Sequence, residues 1–163
     1  MIVEAINILR PKAEFSLIDE KINWLDKKQV EPTKKEINAT VSKLILQKNK
    51  DKKISEINTA CSTEITSGFT SKALGTIRTY QSQELDQLNL IGVVTGGTDD
   101  YFKCAKTVSG KLVWSYEMHT VVQLKQVLND GKAHKQALLQ KAGTLKAKVD
   151  LAKTQADLDL IVW

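Results

Sequence analysis

Cysteine, proline and histidine are scarce in this 163-residue chain, with two Cys, two Pro and two His. Two cysteines, Cys61 and Cys104, allow only one pairing, and nothing in their number implies that they pair. The opening Met1-Ile2-Val3-Glu4 lacks a basic segment followed by an apolar run, so no secretory signal is expected. In the reducing compartment that this predicts, buried free thiols are the default. No window approaches 18 uninterrupted apolar residues, which excludes a membrane-crossing helix. Aromatic residues make up 6% of the chain, and none interleaves with the lysine runs, as stacking on nucleic-acid bases would need. Charge of one sign is also in short supply: 24 Lys+Arg oppose 19 Asp+Glu, a net +5 spread along the chain. What is present is an ordinary apolar fraction of 42%, which argues for a folded domain and against wholesale disorder.

The residues that could carry chemistry do not assemble into a recognisable set. Cys61, Cys104, His119 and His134 make a nominal Cys₂His₂ group, but the close ligand pairs of zinc sites are missing. Glu117 and His119 could form an oriented base. Two residues apart, however, they do not face each other on a helix, and a polar corner between a strand and a helix is the better reading. Asp99 and Asp100 after Gly96-Gly97 offer two carboxylates where a calcium loop needs several spaced oxygens, so a turn is favoured. There is no phosphate loop, dinucleotide fingerprint or HExxH. The three tryptophans read as core anchors. No catalytic, cofactor-binding or metal residue is assigned, no cofactor is expected, and the chain is not expected to be an enzyme. Two lysine-rich stretches, Lys48 to Lys53 and Lys125 to Lys148, read as solvated faces. A basic nucleic-acid-binding module using Lys125, Lys132 and Lys141 is the alternative, and would bind less as salt rises.

Along the chain, residues 2–9 are rich in β-branched side chains and predict a strand stopped by Pro11. Phe15–Ile18 and Ile22–Trp24 extend this into a small β element, with Asp19 to Lys21 as its turn. Thr33 and Glu36 form a capping box that starts a helix. Apolar positions Ile37, Val41 and Leu44 are followed by polar residues 47–53, then by Ile54, Ile57, Cys61 and Ile65. One helix from 33 to about 66, polar and projecting at its middle, or two helices broken at 49–52 both fit. The lack of Gly or Pro before Gly68 favours one. Residues 66–83 read as a packed loop anchored by Phe69, Leu74, Ile77 and Tyr80. A helix follows at 83–91, its Leu85, Leu88 and Ile91 facing the core. Tyr101 to Tyr116 predicts a hairpin turning at Ser109-Gly110, and Thr120 caps the next helix.

That helix has the cleanest period. Leu124, Leu128, Gly131, Lys135, Leu138, Ala142, Leu145, Val149 and Ala152 step by four and three. Glycine inside a helix predicts a kink or a close helix contact at Gly131. The apolar terminus at 160–163 predicts docking. Together these elements predict an α+β chain, mainly α: long helices packed with a small β-hairpin, plus a short β element at the N-terminus. Three parts follow: a β-rich docking segment at 1–32, a connecting helix at 33–66, and a helical domain at 67–163 with its hairpin at about 101–116.

Several words in order carry a resemblance. They are Cys61-x-x-x-Ile65-x-x-Gly68-Phe69-x-Ser71-x-Ala73-Leu74-Gly75, then Tyr80, then Asp86-Gln87-x-Asn89-Leu90. Phe102-Lys103-Cys104 precedes Gly110 and Trp114. His119-Thr120-x-x-Gln123-Leu124-x-Gln126-Val127 leads to Asp130-Gly131, and Asp157-Leu158-Asp159-x-Ile161-x-Trp163 closes the chain. Over 61–163, with a looser echo in Ile22-x-Trp24 and Pro32-Thr33-x-x-Glu36-Ile37, the chain resembles domains of unknown function at the ends of tailed-bacteriophage tail-fibre and tail-tip proteins. The Lys-rich stretch 47–53 departs from the pattern. The resemblance implies a non-catalytic virion protein of the tail, made in the host bacterial cytoplasm, acting in tail assembly and host attachment. The implied partners are other tail or fibre proteins, further copies of the chain with a trimer favoured, and a bacterial surface receptor. A fibre-assembly chaperone is the alternative within the same setting.

Overall fold

Ile2, Ala5, Ile6 and Leu9 fall at helical spacing, and this period overrides the β-branched composition of the segment. Residues Ile2–Leu9 form helix α1, which buries Ala5 and Ile6 and leaves Val3 and Ile8 exposed. The strand expected at 2–9 is therefore corrected. The architecture is α+β, with two antiparallel sheets of two and four strands. The expectation of a single small hairpin in the helical part is corrected too, because residues read as loop at 66–83 supply two of its four strands.

The computed structural model describes residues 1–19 and 21–163, so Glu20, within the expected turn at 19–21, lies outside the described residues. The chain divides into two units, Met1–Ile54 with Val149–Ile161, and Ser55–Lys148 with Val162–Trp163.

In the first unit, strands β1 (Phe15–Ile18) and β2 (Lys21–Trp24) pair antiparallel, Phe15 opposite Trp24 and Leu17 opposite Ile22. The Phe15 and Trp24 rings stack with centroids 6.2 Å apart, and the Trp24 indole N–H donates to the Gln29 carbonyl at 3.0 Å. Phe15, Ile22 and Trp24 pack on Ala5, Ile6 and Ile37. Ile37 belongs to α2, a single helix over Lys34–Thr66. Its capping box is present: the Thr33 N–H donates to Glu36 Oε2 at 2.7 Å, and the Glu36 N–H to Thr33 Oγ1 at 3.2 Å. The expected projecting middle of α2 is corrected. Asn49 donates to Gln155 Oε1 at 2.6 Å, and the Lys50 ammonium donates to the Asp150 carbonyl at 2.8 Å. Gln155 opens α5 (Gln155–Asp159), which buries Leu158.

In the second unit the sheet runs β3 (Phe69–Ser71), β4 (Arg78–Tyr80), β5 (Asp100–Val108), β6 (Lys111–His119), all neighbours antiparallel. Strands of three residues are too short for alternation to show in sequence. Helix α3 (Glu84–Gly96) buries Leu90 against Phe69, Tyr80, Cys104 and Val127, with Val93 and Val94 packed alongside. The expected core stripe of α3 is corrected: Leu85, Leu88 and Ile91 are exposed. Ile77, expected as an anchor, is exposed as well. Helix α4 (Val121–Leu151) starts at a second reciprocal cap, in which the Thr120 N–H donates to Gln123 Oε1 and the Gln123 N–H to Thr120 Oγ1. In this unit its seam buries Leu124, Leu138, Ala142 and Leu145. At Gly131 the ring of Phe69 comes so close that an added Cβ would lie 2.9 Å from Phe69 Cζ. Trp163 donates its indole N–H to Glu64, and Lys141 sits 4.2 Å above its ring.

Candidate interaction surface

The pleat of β5 and β6 sends alternate side chains to opposite sides. Phe102, Cys104, Glu117 and His119 take the inner side, and Tyr101, Lys103, Trp114, Tyr116 and Met118 the outer, as the pairings Phe102–Glu117, Cys104–Ser115, Tyr101–Met118, Lys103–Tyr116 and Ala105–Trp114 require.

The inner side holds a closed polar centre. Tyr80 and His119 are both 0% exposed, and the Tyr80 hydroxyl lies 2.9 Å from His119 Nε2. His119 Nδ1 lies 2.8 Å from the Glu117 carbonyl, which can only accept, so the proton sits on Nδ1 and Nε2 accepts from Tyr80. Burial pushes the Tyr80 phenol and the Cys104 thiol above their ordinary ranges. Both therefore stay protonated at neutral pH, and no thiolate nucleophile is available here. The Glu117 carboxylate turns away from the imidazole to Arg78, with an N–O distance of 3.1 Å. The hydrogen bond from Arg78 holds Glu117 below the usual carboxylate range. This arrangement ties β4 to β6 through Tyr80–His119 and Arg78–Glu117.

The other sequence candidates are scattered. Cys61 lies on α2, its thiol 3.7 Å from the Leu138 carbonyl, while Cys104 is in the sheet and His134 on α4; both cysteines are free. Among the described residues no group of three or more His, Cys, Asp or Glu could hold a metal ion. His134 Nε2 is buried without a hydrogen-bond partner among the described residues. Asp99 accepts from the Val121 N–H at the start of α4, and Asp100 from the Tyr101 N–H, so each carboxylate caps backbone. Of the lysines in the second stretch, Lys135 reaches Gln87, Lys146 reaches Asn58 and Lys141 covers Trp163. Among the described residues no helix is long and apolar enough to cross a membrane.

The outer side is the unusual one. Tyr116 is 69% exposed, Tyr101 60% and Met118 50%, with Leu112 and Trp114 also open. Trp114, expected in the core, is instead 37% exposed, with the Lys103 ammonium 5.6 Å from its ring. A groove of about 870 Å³ runs between this face and α3, lined by Leu88, Ile91, Tyr101, Lys103 and Tyr116 among others. Leu88 and Ile91 of the exposed α3 stripe thus border the groove. Scattered apolar residues on a surface are ordinary, whereas two tyrosines, a tryptophan and a methionine on one face of a single hairpin make this face a candidate interaction surface. Tyr and Trp are also the side chains that interfaces favour, because each carries much area on few rotatable bonds. Alternation with apolar residues outward was the signal that could have found this face.

A family model described as Domain of unknown function (DUF4376) matches residues 48–162. That span is more than half of the chain, and the chain belongs to this family. No curated protein and no solved structure matches.

Proposed function

We propose that this chain is a non-catalytic structural component of a bacteriophage tail, in a fibre, a fibre tip or a connector attached to the baseplate, serving tail assembly and host attachment. The observation that carries the reading is the open apolar face of β5 and β6 with the bordering stripe of α3. A subunit of a larger assembly leaves such surface for its neighbours to cover. The closed inner centre supports the non-catalytic part, since its tyrosine, histidine and cysteine are spent on packing and hydrogen bonds. The resemblance over 61–163 supports the setting of this reading, a virion tail with other tail proteins, further copies of the chain or a bacterial surface receptor as partners. Mass spectrometry of purified tailed particles from a host carrying the gene tests it. The chain is expected at a fixed stoichiometry, and its absence from particles would sink the reading.

The same groove supports one other reading, a fibre-assembly chaperone, which would bind a fibre protein during assembly and then leave. Capture of a fibre chain from infected cells, with none of this chain in mature particles, would select it. The nucleic-acid reading is weakened by Lys141, one of its three lysines, which lies over the Trp163 ring.

A further inference from the structure

We propose that β6 is a pairing edge through which two copies of this chain join antiparallel across a two-fold axis, fusing their four-stranded sheets into one. The turn between β5 and β6 fixes which backbone groups are free. Ser109 (φ 49°) and Gly110 (φ 78°) both have positive φ, so they form the two-residue type I′ turn of a tight hairpin. The flanking residues Val108 and Lys111 are then a hydrogen-bonded pair. Alternation along β6 turns the N–H and C=O of Lys111, Val113, Ser115 and Glu117 toward β5. Those of Leu112, Trp114, Tyr116 and Met118 point the other way, off the edge of the sheet. The single pairing of Thr79 with Ala105 agrees with this parity, because it needs the odd-numbered residues of β5 to face β4. Among the described residues no side chain or other strand meets the outward groups of β6.

Natural sheets protect such an edge with proline, a bulge or an unpaired inward charge. Strand β6 has none of these. Its ladder with β5 is regular from Asp100–His119 to Val108–Lys111, it contains no proline, and its inward Glu117 is held by Arg78. A second copy fits the edge because the strand is complementary to itself. Centred on Trp114, the pairing sets Trp114 against Trp114, Leu112 against Tyr116 and Val113 against Ser115 of the other copy. It also places Lys111 opposite Glu117 on both sides of the axis. Centred one residue later, it would oppose Val113 to the Glu117 carboxylate, and Lys111 to His119. Opposite charges and apolar or aromatic pairs across strands are stabilising, so the register centred on Trp114 is the one selected. The axis is two-fold, and the dimer replaces the trimer that the resemblance favours.

The inference concerns the edge of β6 beside the open face and does not depend on the phage setting. A dimer absent from particles would defeat the proposed function alone; a monomer found in particles would defeat this inference alone. Sedimentation of the full chain over a range of concentrations is expected to give a monomer–dimer equilibrium. Lys111→Glu, at the exposed end of the hairpin, sets like charges opposite each other and is expected to weaken the dimer about tenfold. Trp114→Cys is expected to give a disulfide-linked dimer under mild oxidation, because directly paired residues bring Cα atoms to about 5.5 Å. Val113→Cys, on the inner side opposite Lys106 and off the axis, is expected to stay monomeric in the same gel, with circular dichroism confirming that each variant folds. A wild-type chain that remains monomeric to about 1 mM, a trimer, or a dimer indifferent to Lys111→Glu and not linked through position 114 would overturn the proposal.

Discussion

The β1–β2 and β5–β6 hairpins both carry aromatic and aliphatic side chains but are packed in opposite ways. In β1–β2 the apolar side chains Phe15, Leu17, Ile22 and Trp24 share one face, and Ser16, Lys21 and Asn23 are on the other. The apolar face lies on α1 and α2, and the Trp24 indole N–H is satisfied by Gln29. That is the ordinary half-solvated antiparallel arrangement. In β5–β6 apolar side chains lie on both faces, beside the polar Ser115, Glu117 and His119 of the inner one. Phe102 and Cys104 pack in or against the core, while Tyr101, Leu112, Trp114, Tyr116 and Met118 face outward and are exposed. The first hairpin packs its apolar face within its own unit; the second keeps much of its outer face exposed. The two tryptophans give the sharpest way to break this contrast. Trp24→Ala is expected to destabilise the fold by about 3 kcal/mol, in the range of large-to-small core changes. Trp114→Ala, measured where the chain is dissociated, is expected to stay under about 1 kcal/mol, as for surface positions. Urea unfolding of both variants decides it, and equal losses would mean that Trp114 is a core residue after all.

Helix α3 repeats the contrast within one element. Leu90 faces the Phe69–Tyr80 core and Leu88 faces the groove. Leu90→Ala is expected to cost about 2–3 kcal/mol by lost burial and a residual cavity. Leu88→Ala is expected within about 0.5 kcal/mol of wild type in the monomer. Thermal unfolding of the pair would show whether the helix has one functional stripe or two.

These elements also show where sequence is informative. The ends of α2 and α4 were legible because Thr33–Glu36 and Thr120–Gln123 are local devices whose partners lie within one turn. The hairpin turn at Ser109-Gly110 was legible for the same reason. At 2–9, composition pointed to a strand and period to a helix, and the period decided. In α3 both Leu85–Leu88–Ile91 and Leu90–Val93–Val94 lie at helical spacing; only the placement of Phe69 and Tyr80 from distant strands selects the second. The interaction face was hidden for a related reason. In β6 the apolar Leu112, Trp114, Tyr116 and Met118 alternate with mostly polar residues as on any half-buried strand, and nothing in β6 itself tells which of its two sides is turned to the core.

The inner side of the second unit is filled so tightly that one added methyl should be felt. Gly131 lies against Phe69, and a Cβ there would fall 2.9 Å from the ring. Alanine gains about 1 kcal/mol in helix propensity, while overpacking costs about 1–3 kcal/mol. Gly131→Ala is expected to be destabilising by about 1 kcal/mol net. A stabilised variant in the same urea assay would show that the ring yields.

The smallest effect separates the two units by acid. Glu117, held down by its hydrogen bond from Arg78, has a folded-state pKa below its ordinary 4.5. A depressed carboxylate contributes stability that is complete above the unfolded pKa and is lost as pH falls through the folded one. Partly solvated pairs of this kind are worth about 0–1 kcal/mol, so the loss is modest. Asp26 and Glu36 in the first unit are lowered as well, chiefly by backbone N–H donors at Lys28 and Thr33, and they shape the acid limb there. Glu117→Gln is therefore expected to flatten the fall in urea midpoint from about pH 7 to about pH 3 without abolishing it. The change should register in the Trp114 fluorescence of the hairpin in a variant that lacks Trp24 and Trp163. An acid limb identical to wild type in that probe would mean that Arg78 and Glu117 contribute nothing to holding β4 and β6 in one sheet.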